Sequence, residues 1–456
     1  MRKNYSSLAL RDPDLLFGRA QFPLKRNGLV IGGGRVIPEI KFTLPPIEVD
    51  EATFKEITGL YDEMIRGICE RARDLHQTEL IVEFELLPPM TMEPSWGEAV
   101  TALLRETLDE FRAKEGLKSC LRVTPVDIRE STKPPKRREG RDLDLVLESF
   151  RRCAGAGGDL LSIESTGGKE VTDQAVMAAD LRGTIFGTGI LGSADMEFLW
   201  DRIVGIARDT GTVAAGDTAC GIGNTAMILA DQGYIPKVYA AVVRAITAVR
   251  SIVAYEVGAV GPGKDCGYEN AYLKAITGLP MSMEGKSAAC AHFSALGNIA
   301  GAYADLWSNE SVQHIKLLSG MAPVVSLEQL TYDCRLFNVS ASHGKGLELR
   351  NWLVESDASL DPQAFILKPE SVFAVAEALV GAESDYERSV NVAAAAIRIL
   401  QNGLSDGNVL ISEREKPWLV RMEEAVSGLP KDAGAFIEEE FSRWGEVADR
   451  SQYKLQ

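Results

Sequence analysis

Apolar residues along this chain recur at two different spacings. From Glu51 to about Leu75, Phe54, Ile57, Tyr61, Met64, Ile65 and Ile68 fall three or four apart and predict a helix with one buried face. Beyond it, short apolar runs alternate with longer helical stretches. Glu79 to Leu87 (ELIVEFELL) reads as a strand, and Ser95 and Glu98, spaced as a capping box, introduce a helix carrying Val100, Leu103, Leu104, Leu108 and Phe111. Cys120 to Ile128 reads as a second strand, a helix lies around Leu145 to Cys153, and Asp159 to Glu164 reads as a third strand. Further strands are expected near Thr184 to Thr188, at Thr212 to Ala215, at Ile252 to Val257 and near Met281 to Glu284. An eighth is expected between Val312 and Leu327.

Short strands alternating with longer helices imply a parallel sheet, and this many units imply a closed ring rather than an open sheet. The expected fold is therefore α/β, a TIM (β/α)8 barrel over residues 50–350. Residues 1–49 contain Pro, Gly and short apolar pieces such as LVIGGGRVIPE without a helical period, and are expected to be an N-terminal arm. Residues 351–456 show no strand pattern. Capping-box spacings at Ser384/Glu387 and Ser412/Glu415 predict a C-terminal helical extension there.

Composition narrows the partners. Lys and Arg total 49 against 65 Asp and Glu, for a net charge of −16, which argues against nucleic acid. No apolar run reads as long enough to span a bilayer, so no membrane role is expected. The opening MRKNYSSLALRDPDLLFG is too interrupted by charge for a secretory signal, which leads to the expectation of a cytoplasmic protein. Seven scattered cysteines without a C-x-x-C pair are expected to be thiols or metal ligands rather than disulfides.

Three residues stand at or beyond the C-terminal ends of expected strands, among glycines: Glu164 in LLSIESTGGKE, Cys220 in AAGDTACGIGN and Cys266 in GAVGPGKDCGYEN. They are far apart in sequence, yet a barrel gathers such positions at its mouth. Two thiolates and a carboxylate make a zinc ligand set that leaves the fourth position open for catalysis. The competing reading is buried structural cysteine, since free Cys is among the most buried residue types. Asp217 and Glu256 also lie at or near expected strand ends. Cys290 and His292 are a further pair, read as packed groups unless one completes a four-ligand structural zinc site.

Other motifs carry less. Gly258, Gly263 and Lys264 match a phosphate-loop spacing, but Asp265 stands where that loop needs a hydroxyl. Gly187, Gly189 and Gly192 spell G-x-G-x-x-G, but after three strand–helix units and without the acidic strand end of a dinucleotide site. The cluster Lys133, Lys136, Arg137, Arg138 and Arg141 reads as a solvated loop.

The stretches LLSIESTGGKEV, AAGDTACGIGNTAM and AYEVGAVGPGKDCGYEN resemble the zinc-binding subunit of methanol:corrinoid methyltransferases, with PSWG, ITGLPMSMEGK and WSNESV extending the likeness over nearly the whole chain. The resemblance implies a TIM barrel with added helices and a zinc ion held by Glu164, Cys220 and Cys266. It also implies methanol as methyl donor, a small corrinoid-binding protein bringing cobalamin to the barrel mouth, and a homodimer within a heterotetramer. Another methoxylated donor, or a thiol acceptor, is the alternative. Because three anionic ligands weaken the acidity of a dication, a proton donor is expected beside the leaving oxygen, and Asp217 and Glu256 are the candidates for that catalytic role.

Overall fold

The computed structural model describes residues 2–42, 44, 47–286, 294–309, 316–317 and 320–455. The chain opens with a hairpin, β1 (Arg19–Arg26) and β2 (Leu29–Gly33). Its two-residue turn is Asn27–Gly28, both with positive φ, which matches the twist of antiparallel strands. The barrel strands follow: β3 (Ile37–Phe42), β4 (Glu79–Glu85), β5 (Lys118–Thr124), β6 (Leu160–Ile163), β7 (Val213–Asp217), β8 (Ser282–Glu284) and β9 (Leu306–Ser308). They pair in parallel in the order β7-β6-β5-β4-β3-β9-β8. The sheet thus takes β3 from the segment expected to be an arm.

The edges β7 and β8 are joined by an extended segment without regular strand geometry. Val260 N–H donates to Ala214 O of β7 at 2.9 Å, and Gly263 bridges in parallel to Met281 beside β8. This segment fills the eighth position and closes the ring. It runs directly into Cys266.

Two expected strands are helical instead. Ile252–Val257 belongs to the helix Lys237–Glu256 and its C-cap, and Thr184–Thr188 lies in a helical stretch whose π-turn, Ile185–Leu191, leads into the helix Gly192–Thr210. A continuous apolar run cannot distinguish a strand covered on both faces from a helix buried all round. Here the helix is buried all round. Contrary to the expectation that no apolar run is long enough, this helix could by length and composition cross a membrane, yet it lies wholly inside the protein and carries the buried Arg244 and Arg250. The G-x-G-x-x-G glycines serve helix packing: a Cβ on Gly189 would fall 1.9 Å from Ser389 Oγ.

The last barrel strand, β9, precedes the expected 312–327 window, part of which lies outside the described residues. The pair Lys316–Leu317 and Gly320–Met321 forms a separate two-stranded piece. Beyond it the chain is helical, as expected. Ser384 Oγ accepts the Glu387 N–H at 3.1 Å, so that capping contact forms. The other two boxes do not: the helices there begin at Pro94 and Lys416 with no side-chain cap. Arg137 is buried rather than solvated, paired with Glu170 at 2.8 Å. Beside it the C-terminal residues dock, with Gln452 Oε1 accepting Arg137 N–H at 2.9 Å and the Tyr453 hydroxyl accepting Gly168 N–H at 3.1 Å.

The barrel floor is an apolar layer of Ile37, Ile81, Cys120, Leu160, Val213 and Leu306, plugged from below by Leu29 and Ile31 of the hairpin. Closure depends on close approach at Gly216, whose φ is +149° and whose Cβ would lie 2.6 Å from Tyr255 Oη and 3.1 Å from Gly263 Cα. Gly216→Ala is therefore expected to cost on the order of 2 kcal/mol by denaturant unfolding. Gly205→Ala, on an open helical face, should stay within about 0.5 kcal/mol of wild type.

Candidate metal centre

Above the apolar floor the inward-facing positions become charged. On β3 they run Ile37, Glu39, Lys41; on β4, Ile81, Glu83, Glu85; on β5, Cys120, Arg122, Thr124. Period-two alternation on a strand usually reads as one wet face. In a closed barrel that face points inward, and these charges are buried together. Arg122 Nε donates to Glu39 Oε1 at 2.7 Å and an Arg122 terminal nitrogen to Ser162 Oγ at 2.7 Å.

At the top of this network sits Lys264, on the ring-closing segment. Its Nζ lies 2.8 Å from Glu83 Oε1, 2.8 Å from Glu85 Oε1, 3.0 Å from Asp265 Oδ1 and 3.1 Å from Glu164 Oε1. Burial works against the ammonium, but Asp265, Glu83 and Glu85 hold it protonated well above the ordinary lysine range. The neighbouring carboxylates diverge. Burial, reinforced by Asp265 and opposed by Lys264, pushes Glu83 up to about 8. At Glu85 burial acts in the same direction, but Lys264 and Lys41 outweigh it and the carboxyl is lowered.

Glu164, Cys220 and Cys266 meet beside Lys264, with one ligand atom from each all within 4.8 Å of one another. Cys266 Sγ lies 3.4 Å from Glu164 Oε1. Glu164 follows β6, Cys220 is the first residue of the helix Cys220–Asp231 after β7, and Cys266 follows the ring-closing segment. Glu269 ties the two cysteine loops together: its Oε1 accepts Ala219 N–H at 2.7 Å and Ser251 Oγ–H at 3.0 Å. Burial pushes the Cys266 thiol well above its ordinary range, with Cys220 adding to it. At Cys220 the contact with Cys266 pulls down, but burial and the Glu164 charge prevail and the thiol is pushed up to about 11. Two sulfurs and a carboxylate in one cluster suit zinc, whose charge favours the thiolate form of both cysteines.

A second grouping, Asp265, Cys266 and Glu284, already has a cation. Lys41 Nζ lies 3.2 Å from Glu284 Oε1 and 3.6 Å from Asp265 Oδ2. Cys290 and His292 lie outside the described residues. A cavity of about 380 Å³ opens against Glu164 and is walled by Leu86, Leu87, Pro88, Val126 and Ile222, with Glu85 and Lys169 at its polar side.

The two carboxylates expected at the chemistry do not line that cavity. Between β6 and β7 the register shifts, so that Leu161 pairs with Ala214 but Ser162 with Gly216. This irregularity puts Asp217 opposite Ile163, on the side facing the helices. There Asp217 is fully buried, accepting Trp200 Nε1–H at 2.8 Å and Ser165 Oγ–H at 2.7 Å and facing Arg250 at 3.4 Å. Burial raises its carboxyl pKa against the pull of Arg250. Asp217 thus holds the residue next to Glu164. Glu256, on a helix instead of a strand, pairs with Arg2 at 2.6 Å and Arg388 at 2.8 Å and ties the N-terminal residues to the helix Asp385–Ser405.

A family model described as methanol-cobalamin methyltransferase B subunit matches residues 2–454. The methanol–corrinoid protein co-methyltransferase of Methanosarcina barkeri (strain Fusaro / DSM 804) is 38% identical over 444 residues, covering 96% of this chain and 95% of the relative. The fold is similar to a chain of the crystal structure of the methanol:cobalamin methyltransferase complex MtaBC from Methanosarcina barkeri. The TM-score is 0.95 at 37% identity, over 99% of this chain and 100% of that one.

The two displaced carboxylates should behave differently on substitution. Glu256→Gln is expected to cost on the order of 3 kcal/mol of stability by leaving Arg2 and Arg388 to share the carboxylate of Asp385, with metal uptake unchanged. Asp217→Asn is expected to lower both stability and metal affinity, because it loosens Ser165 beside Glu164. Thermal melts and chelator competition on both variants separate the two roles, and metal loss from the Glu256 variant would contradict this assignment.

Proposed function

The chain belongs to the methanol-cobalamin methyltransferase B subunit family, and from that premise we propose that Glu164, Cys220 and Cys266 form a zinc site at which methanol gives up its methyl group. The reaction is methyl transfer from methanol to a corrinoid carried by a partner protein. The observation that carries the zinc reading is the donor set itself, two thiol sulfurs and a carboxylate within 4.8 Å, with three ligands leaving one position for substrate. Bound zinc supplies Lewis acidity toward the alcohol oxygen, taking up charge as the carbon–oxygen bond breaks.

The chain's own residues do the rest. The apolar wall of Leu86, Leu87, Pro88, Val126 and Ile222 limits water beside Glu164, which strengthens every electrostatic contact there. Lys264 Nζ, between Glu85 and Glu164, holds a proton within reach of two of the carboxylates that line the cavity. Lys264 does not itself line the cavity, so its effect there runs through the Glu164 carboxylate it touches, and the proton-donor role first expected of Asp217 and Glu256 stays unassigned. The cavity far exceeds the size of methanol, which fits an arrangement in which the corrinoid approaches through it.

The assembly we propose is a homodimer of this subunit joined to two corrinoid proteins. Tyr332, Leu336 and Val339, exposed at i, i+4 and i+7 on the helix Ala322–Ser342, support a face that a second copy covers.

Methylcobalamin formation from methanol and cob(I)alamin tests the zinc reading directly. Transfer is expected from zinc-loaded protein, lost on chelation and regained on zinc restoration. Cys220→Ser and Cys266→Ser should each lower transfer by more than about 100-fold, beyond the usual effect of residues that only touch a ligand. Full activity in a zinc-free serine variant would refute the site.

A further inference from the structure

The helix that begins at Cys220 returns one turn later to Asn224, and this i, i+4 spacing stacks the two side chains. Asn224 Nδ2 lies 3.1 Å from Cys220 Sγ. The side chain is 8% exposed, and its other polar atom, Oδ1, is buried with no hydrogen-bond partner. Buried amides that serve only to hold a fold satisfy both ends, and an orphaned carbonyl normally carries a cost. The sulfur is the polar group that this amide meets. A thiolate only accepts hydrogen bonds, so the amide nitrogen is the end that faces it.

Resting on the zinc reading above, we infer that Asn224 is a positioning residue that withdraws charge from the Cys220 thiolate and so keeps the metal acidic enough to activate an alcohol. Two thiolates and a carboxylate carry more negative charge than a zinc dication neutralises. Each ligand that donates less to the metal leaves it a stronger acid toward the fourth position. The N–H of Asn224 acts on one sulfur in this way, helped by the helix N-terminus at which Cys220 sits. Lys264, 3.1 Å from Glu164 Oε1, acts on the carboxylate ligand in the same sense. Asn224 does not line the cavity and, in this role, does not touch the substrate.

The sign of the effect separates this role from a structural one. An amide that merely holds the loop would, when removed, weaken metal binding. An amide that draws charge from sulfur would, when removed, leave zinc bound as tightly or more tightly while slowing the reaction. Asn224→Leu keeps the side-chain volume on a helix, and Asn224→Ala is the second variant should the first misfold. Cobalt(II) replaces zinc as the spectroscopic probe, with zinc affinity measured by competition with a chromophoric chelator.

The expected result for both variants is zinc affinity equal to or above wild type. The thiolate-to-cobalt charge-transfer band should move to lower energy, because the sulfur electrons are less stabilised. Methanol-dependent kcat should fall by about tenfold with KM less affected. Weakened zinc binding with an unmoved band, or a band and kcat both at wild-type values, overturns the inference while leaving the zinc site standing. Wild-type protein that takes up neither metal would overturn the site reading and this inference together.

Discussion

The ammonium of Lys264 is the contact on which the upper half of this barrel depends. It enters on an irregular segment that replaces a regular strand, and it is the point where carboxylates from β4, from the end of β6 and from its own loop converge. Carboxylates crowded in a dry interior repel one another and lose hydration, so without a cation their charge could not be kept there. With Lys264 in place, and Lys41 and Arg122 beside it, the ring closes around a polar interior and Cys266 is delivered two residues later. The residue that compensates the interior charge thus stands two positions before Cys266, a member of the candidate metal cluster.

The division of the barrel into an apolar floor and a charged upper layer follows from this arrangement. The hairpin of residues 19–33 seals the floor with Leu29 and Ile31, so the chemistry has one open end. The loops at that end are held from behind by buried pairs rather than by the cavity itself. Asp127 and Asp195 bracket Arg129, Glu170 pairs with Arg137, and the C-terminal Tyr453 meets Gly168 in the loop that follows Glu164. The helical extension is thus fastened to the ligand loop, and the first residues of the chain are fastened to the same extension through Glu256. A centre built from loops is rigid only if such outer contacts are.

At the centre proposed above, substrate activation would be a matter of charge distribution. A methyl donor with hydroxide as leaving group demands an acidic metal, whereas two sulfurs and a carboxylate make it electron-rich. In the proposed zinc site, donors directed at the candidate ligands, Asn224 at Cys220 and Lys264 at Glu164, would reconcile these demands without adding a group to the open position.

The chain alone determined a good deal. Periodicity marked the first helix, five of the barrel strands and the helical tail, because those elements have one buried face or clear punctuation. Glu164, Cys220 and Cys266 could be named because each stands among glycines beyond an expected strand, and because the surrounding stretches resemble a known family. Other features depended on the fold. Ile252–Val257 is helical and buried all round, between other helices and the barrel at Gly216, and a run of apolar residues carries no record of such surroundings. Asp217 turned away from the cavity because of a single register shift between β6 and β7, which no local residue preference encodes. The charges at Glu83, Glu85 and Lys264 carried no assigned role in the sequence, and only closure of the sheet on itself brings them together in one buried network. Sequence specifies which side chains share a face of an element. Only tertiary structure decides whether that face meets water, a helix or the interior of a ring.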